Sequence, residues 1–178
     1  MDMDIRYSAN QRDVKRYTTE ELRDEFLIDG LYQPDQLVAV YSHVDRMVTL
    51  GCMPVKDSVS IDKGIDIWAN FGTKYFLERR EIGIFNLGGP GKITADGEIF
   101  EMGSKDCLYI SKGTKEVSFQ SDNSADCAKF YMVSAPAHKS CKTTFIRMAD
   151  AAKKPLGDAA TSNKRVINQF IHPDVLET

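Results

Sequence analysis

Charged residues crowd a stretch that otherwise reads as a β-strand, Tyr75-Phe76-Leu77-Glu78-Arg79-Arg80-Glu81. Successive side chains of a strand point to opposite faces. Tyr75, Leu77, Arg79 and Glu81 therefore share one face, and Phe76, Glu78 and Arg80 the other. Arg79 and Glu81 then stand two residues apart, close enough to pair. If their face is buried, pairing is nearly forced, because an isolated buried charge is costly. Two kinds of chemistry fit such a set. Arginine can grip a carboxylate from a substrate or a neighbouring subunit with two parallel hydrogen bonds. Alternatively, an internal Arg79–Glu81 pair does structural duty only. Tyr75, Arg79 and Glu81 are the candidate substrate-binding residues, and the catalytic residues stay unassigned.

Other reactive residue types are dispersed. His43, His138 and His172 lie far apart, and none has a partner at i+2 or i+4. Metal centres usually draw two ligands from one such local motif, so no metal ligand is expected in this chain. Cys52, Cys107, Cys127 and Cys141 form no C-x-x-C pair. Cys107 and Cys127 read as small buried hydrophobes. The run Gly88-Gly89-Pro90-Gly91 lacks the Lys-Ser/Thr that a phosphate loop needs, and reads as a turn.

Composition excludes several function classes. The 178 residues carry a net charge of -3 with a pI of about 5.6. That balance argues against a nucleic-acid-binding surface, while a small anionic ligand needs only one or two placed arginines. No apolar run approaches the ~20 residues of a membrane span. The opening MDMDIRYSANQRD lacks the basic and then apolar order of a secretory signal. Unpaired cysteines suit a reducing cytoplasm.

The elements that must hold these residues are mostly strands. One helix is expected near the start. Thr18 caps it, Glu21 completes a capping box, and Leu22, Phe26 and Leu27 form its apolar stripe. Beyond Gly30 short strands are expected at 37–41, 46–50, 58–62, 74–78, 81–87, 92–95, 98–102, 107–110, 116–120, 128–134 and 143–147. Gly, Asn, Asp, Ser and Pro separate them, the signature of an antiparallel sandwich or barrel. Asp96-Gly97 is the strongest hairpin signal. Residues 149–163 read as a linker, and 165–171 as a new strand stopped by His172-Pro173.

Two resemblances add to this reading. Glu81, six residues and then Gly88 match the second half of the cupin jelly-roll motif H-x-H…E-x6-G. The motif's histidines would fall at Tyr75 and Leu77, or at Lys74 and Phe76. In the second cupin motif Gly103, Asp106 and Gly113 keep the turns, with Ser111 at the proline and Glu116 near the histidine. The resemblance implies a cupin-like barrel with one amino-terminal helix and a carboxy-terminal extension. If Glu81 keeps the cupin orientation, Tyr75, Leu77, Arg79 and Glu81 point inward, into the vacant metal pocket. The organisation is then 1–30 arm and helix, 31–148 degenerate barrel, and 149–178 linker and first strand toward a second cupin domain.

The second resemblance is to one family. The segments YFLERRE (75–81), NLGG (86–89), LRDEFL (22–27), YSHVDR (41–46), AKFY (128–131), APAH (135–138), TSNKR (161–165) and PDVLET (173–178) resemble the 5-keto-4-deoxyuronate isomerases of pectin and uronate breakdown. That resemblance implies a ketol-isomerase converting 4-deoxy-L-threo-5-hexosulose uronate to 3-deoxy-D-glycero-2,5-hexodiulosonate. It implies a small anionic sugar acid as substrate, a homo-oligomer (a hexamer) and a zinc ion held by histidines and a glutamate in a second domain. The chain is then an amino-terminal portion, inactive alone and binding no cofactor. Two alternatives stand beside it: a stand-alone degenerate cupin that binds sugar acids or assembles, and a related deoxyglucuronate isomerase of inositol breakdown.

Overall fold

The computed structural model describes residues 3–178. The amino-terminal arm holds β1 (Asp4–Arg6), α1 (Gln11–Val14) and α2 (Thr19–Phe26). The body follows with β2 (Leu37–Ser42), β3 (Met47–Cys52), β4 (Val59–Ser60), α3 (Ile67–Phe71) and a 3-10 turn (Phe76–Glu78). Next come β5 (Arg80–Asn86), β6 (Gly91–Ala95), β7 (Glu98–Met102), β8 (Cys107–Ile110), β9 (Val117–Ser121), β10 (Phe130–Pro136) and β11 (Thr144–Ile146). The last two strands are β12 (Ala152–Leu156) and β13 (Arg165–Gln169).

Mostly antiparallel strands form two facing sheets, the jelly-roll sandwich expected from the sequence. The larger runs β1-β2-β3-β10-β5-β8-β11 and the smaller β4-β9-β6-β7. Among the strands of the described residues β1 alone pairs in parallel, with β2, and one isolated parallel bridge joins Pro34 to Met53. The Asp96-Gly97 turn joins β6 to β7 with positive φ at both residues, 45° and 88°. Those are the signs a tight hairpin of this hand requires.

Alternation along the strands builds one core between the sheets. Ile82 and Ile84 of β5, Leu108 and Ile110 of β8, and Phe130 and Met132 of β10 face Ile93 of β6 and Phe119 of β9, and all are at most 1% exposed. This filled interior corrects the expected vacant pocket. Burying each such side chain contributes about 1.5–3 kcal/mol, so the apolar filling itself holds the sheets together.

Several expected elements change. Residues 74–78 are not a strand. Phe76 and Leu77 are both buried, which a one-sided strand cannot achieve with adjacent residues. A helical turn can, and Glu78 fastens it by accepting from the Lys74 N–H at 2.6 Å. The expected linker contains β12, which pairs along its length with β13 as a separate two-stranded ribbon. The capping box of α2 is present, with the Glu21 N–H donating to Thr18 Oγ1 at 3.2 Å and the Thr18 N–H to Glu21 Oε2 at 2.6 Å. Its apolar stripe does not pack as expected: α2 contains no buried residue. Helices α1 and α3 join it, so it is one of three α-helices among the described residues.

Candidate functional site

The 3-10 turn sets what β5 presents to each side of the large sheet. It ends at Arg79, so strand alternation starts at Arg80 rather than at Tyr75. Arg80, Ile82, Ile84 and Asn86 point into the core, and Glu81, Gly83 and Phe85 point outward. The three candidates are therefore not an inner constellation. Tyr75 is half-buried ahead of the turn, Arg79 is exposed, and Glu81 lies on the outer face. Among the described residues no hydrogen bond or ion pair joins any two of them. The expected Arg79–Glu81 pair is replaced by separate networks around Arg80 and Glu81.

Arg80 is 6% exposed and meets no carboxylate among the described residues. Its Nε donates to Ser134 Oγ at 3.1 Å, and its Nη2 to the carbonyls of Arg46 at 2.6 Å and Ser134 at 2.8 Å. The guanidinium carbon lies 5.4 Å from the Phe71 ring centre and 6.0 Å from that of Tyr41. Burial lowers its pKa to about 10, so it stays charged at neutral pH. Carbonyl dipoles and ring faces, rather than an anion, stabilise this cation. It closes one end of the core.

Ser134 links the two faces of the sheet. Its hydroxyl accepts from Arg80 and donates to the Glu81 carbonyl at 2.7 Å. On the outer side Glu81 Oε2 accepts from the Tyr109 hydroxyl at 2.8 Å. Burial, then the hydrogen bond and charge of Glu81, hold the Tyr109 pKa above the ordinary tyrosine range. The phenol therefore stays protonated and the carboxylate already has its donor. This is a lock between β5 and β8 rather than a base free to take a proton.

The lock borders a cavity of about 230 Å³ lined mainly by apolar groups, including Met47, Phe85, Val133 and Ile171. The carboxy-terminal segment forms its roof. Phe170 meets Phe85 edge-on with ring centres 5.0 Å apart, and Leu176 joins Cys107, Tyr109 and Ile146 in a second small core. Residues expected to lead away from the barrel thus lie back across its outer face.

At the far end of β5, Asn86 is fully buried and satisfied on both sides of its amide. Nδ2 donates to the carbonyls of Gly89 at 2.8 Å and Met102 at 3.0 Å, while Oδ1 accepts from the N–H groups of Gly88 at 3.1 Å and Lys129 at 3.2 Å. It shapes the Gly88-Gly89 turn, read correctly as a turn. The sequence reading passed over Arg80, Asn86, Tyr109 and Ser134. Their signal was faint: single polar residues within apolar strands.

The histidines stay dispersed. His43 stacks on Tyr7 with ring centres 4.5 Å apart, His138 is exposed, and His172 lies 3.5 Å from Asp174. Among the described residues no three His, Cys, Asp or Glu side chains cluster closely enough to hold a metal ion.

The family model of KduI/IolB matches residues 56–178. The 4-deoxy-L-threo-5-hexosulose-uronate ketol-isomerase of Enterobacter sp. (strain 638) is 47% identical over 176 residues, 99% of this chain and 63% of that protein. The proteins of that name from Yersinia enterocolitica and Pectobacterium carotovorum match to the same extent. The chain thus spans 63% of the length of these curated relatives. A cupin protein from Bacteroides fragilis is a loose structural neighbour, with a TM-score of 0.38 and 20% identity over 52% of this chain and 68% of that one.

Proposed function

This chain belongs to the KduI/IolB family, and on that premise we propose that it forms the amino-terminal part of a 4-deoxy-L-threo-5-hexosulose-uronate ketol-isomerase acting in pectin and uronate breakdown. The observation that carries this reading is 47% identity over 176 residues to relatives of that name. The enzyme is proposed to be cytoplasmic and homo-oligomeric. Four free cysteines suit a reducing compartment. No helix of the described residues is long and apolar enough to cross a membrane.

Such an isomerisation moves a carbonyl one carbon along a deoxyuronate. A base removes a proton from the carbon beside the carbonyl, an electrophile stabilises the enediolate, and the proton returns to the neighbouring carbon. The residues of this chain do not fit a zinc centre. Its histidines are dispersed, and Arg80 and aliphatic side chains occupy the inner face of β5. No step of the reaction is therefore assigned to zinc here, or to the Tyr109–Glu81 lock. The proposed role of these residues is scaffold and subunit contact, with the base and electrophile supplied by the remainder of the enzyme.

The test is a chimera in which the remainder of the Pectobacterium relative follows Thr178. Turnover of 4-deoxy-L-threo-5-hexosulose uronate by the chimera is expected. A folded chimera without turnover, beside an active parent relative, contradicts the reading.

A further inference from the structure

Two elements of this chain stand apart from its cores, and each is too small to be stable in isolation. Helix α2 has eight residues and none buried, whereas isolated helices shorter than about 12–15 residues are marginal in water. Leu22 and Phe26 lie one turn apart and, with Leu27, are 38%, 52% and 37% exposed. Arg6 fastens the end of the helix through the carbonyls of Glu25 and Leu27, at 3.3 and 2.8 Å, and leaves the stripe bare.

The β12–β13 ribbon is the second. It pairs with neither sheet, so both of its edges are open. Two-stranded ribbons are marginal alone, and open edges invite further pairing. Val166 and Ile167 are 53% and 44% exposed. In its register Ile167 lies opposite Lys154, and Arg165 opposite Leu156. Cross-strand partners share a face, so one face carries Ile167 and Leu156 flanked by Lys154 and Arg165.

The two surfaces are complementary in sign as well as in kind. Helix α2 carries Glu20, Glu21, Asp24 and Glu25 against the single Arg23. Glu21 and Glu25, one turn apart, run along one flank of the Leu22–Phe26 stripe. The ribbon carries Lys153, Lys154 and Arg165 and no acidic residue within its strands. An acidic apolar helix and a basic apolar ribbon on one chain make a heterologous contact between copies, which gives a ring or a reciprocal pair where the rotation closes and a filament where it does not. A membrane fits less well, because the helix beside the apolar stripe is acidic and anionic lipid would repel it.

We infer that α2 of one copy of this chain docks on the β12–β13 ribbon of a second copy, with the Leu22–Phe26 stripe against Ile167 and Leu156, and Glu25 against Lys154 and Arg165. This contact does not depend on the isomerase reading, since nothing in it touches a substrate. It accounts for why a helix with an intact capping box shows its apolar side to water.

Sedimentation velocity on the 178-residue protein tests it with two charge-reversed variants. Asp24→Lys with Glu25→Lys makes the helix basic, and leaves Glu21 to its capping role. Lys154→Glu with Arg165→Glu makes the ribbon acidic. In each variant alone like charges meet, and both are expected to sediment as monomers with the circular dichroism of the parent. The parent is expected to associate as concentration rises and less so in 0.5 M salt. Mixing the two variants brings opposite charges together again, and association is expected to return. A parent that stays monomeric, variants that associate like the parent, or a mixture that stays monomeric overturns the inference. These outcomes include the case in which another protein or another part of a longer chain covers α2.

Discussion

The Arg80 guanidinium grips Ser134 twice, through Nε to the hydroxyl at 3.1 Å and through Nη2 to the carbonyl at 2.8 Å. Arg79, one residue earlier, is exposed. Arg80→Ala removes charged hydrogen bonds to Ser134 and to the Arg46 carbonyl, and opens a cavity beside Phe71. The expected loss is about 3 kcal/mol of unfolding free energy. Arg79→Ala is expected to change it by less than about 0.5 kcal/mol. Urea denaturation of both variants measures the contrast, and equal losses would contradict the inward placement of Arg80.

Gly83 is where the carboxy-terminal segment touches the sheet. A Cβ there would lie 2.5 Å from Ile171 Cδ1, too close to fit without movement. The Ile171 tip can turn aside for a single methyl, so the larger Gly83→Leu is the variant expected to lift residues 170–178 off the sheet and expose them to protease, with a stability loss of about 1–3 kcal/mol. Adding Ile171→Ala should remove the clash and restore protection. Limited proteolysis followed by mass spectrometry reads both outcomes.

The Tyr109–Glu81 lock predicts a loss of stability in alkali. Burial first, and then Glu81, raise the folded-state pKa of Tyr109. Its contribution is fully present below the unfolded value of about 10 and is lost as pH rises above it, at up to about 1.4 kcal/mol per pH unit. Tyr109→Phe should flatten that decline. At neutral pH it should cost about 1 kcal/mol, the net worth of one hydrogen bond. Chemical denaturation at pH 7 and at pH 11 separates the two effects.

Burial also divides the four thiols. Cys52 and Cys107 are fully buried, and desolvation raises their pKa to about 12. Since the thiolate is the reactive form, both should resist iodoacetamide in the native protein at pH 8. Cys127 and Cys141 are half-buried and should be labelled. The raised values also stabilise the fold below the unfolded thiol pKa of about 8.5, a contribution that fades as pH climbs toward 12. Peptide mapping after alkylation identifies the modified positions.

Much of the architecture was written in local pattern. Asp96-Gly97 announced its hairpin, Thr18 and Glu21 their capping box, and strands such as Phe130–Pro136 their alternation. Helix α3 was legible too and was missed: Asp66 caps it by accepting from the Ala69 N–H at 2.9 Å, and Gly72 ends it with φ of 63°. The charged stretch misled because its alternation looked continuous from Tyr75 to Glu81. Phe76 and Leu77 both seek the core, which forces a turn there and shifts every later side chain to the opposite face. That one-residue slip exchanged Arg80 for Arg79 and put Glu81 outside. Strands β1 and β12 depend on partners distant in sequence or on a ribbon rich in lysine and proline, and neither leaves a period-2 trace. Ser134 and Tyr109 acquire their roles only once β8 and β10 flank β5.

Side chains fill the interior of this barrel, and we propose that these 178 residues alone do not carry out the isomerase chemistry. It is tested most directly by an initial-rate measurement on the folded 178-residue protein, given 4-deoxy-L-threo-5-hexosulose uronate with zinc supplied. We expect no rate above the uncatalysed background at any protein concentration. Turnover proportional to protein concentration, abolished by a chelator, would contradict the account.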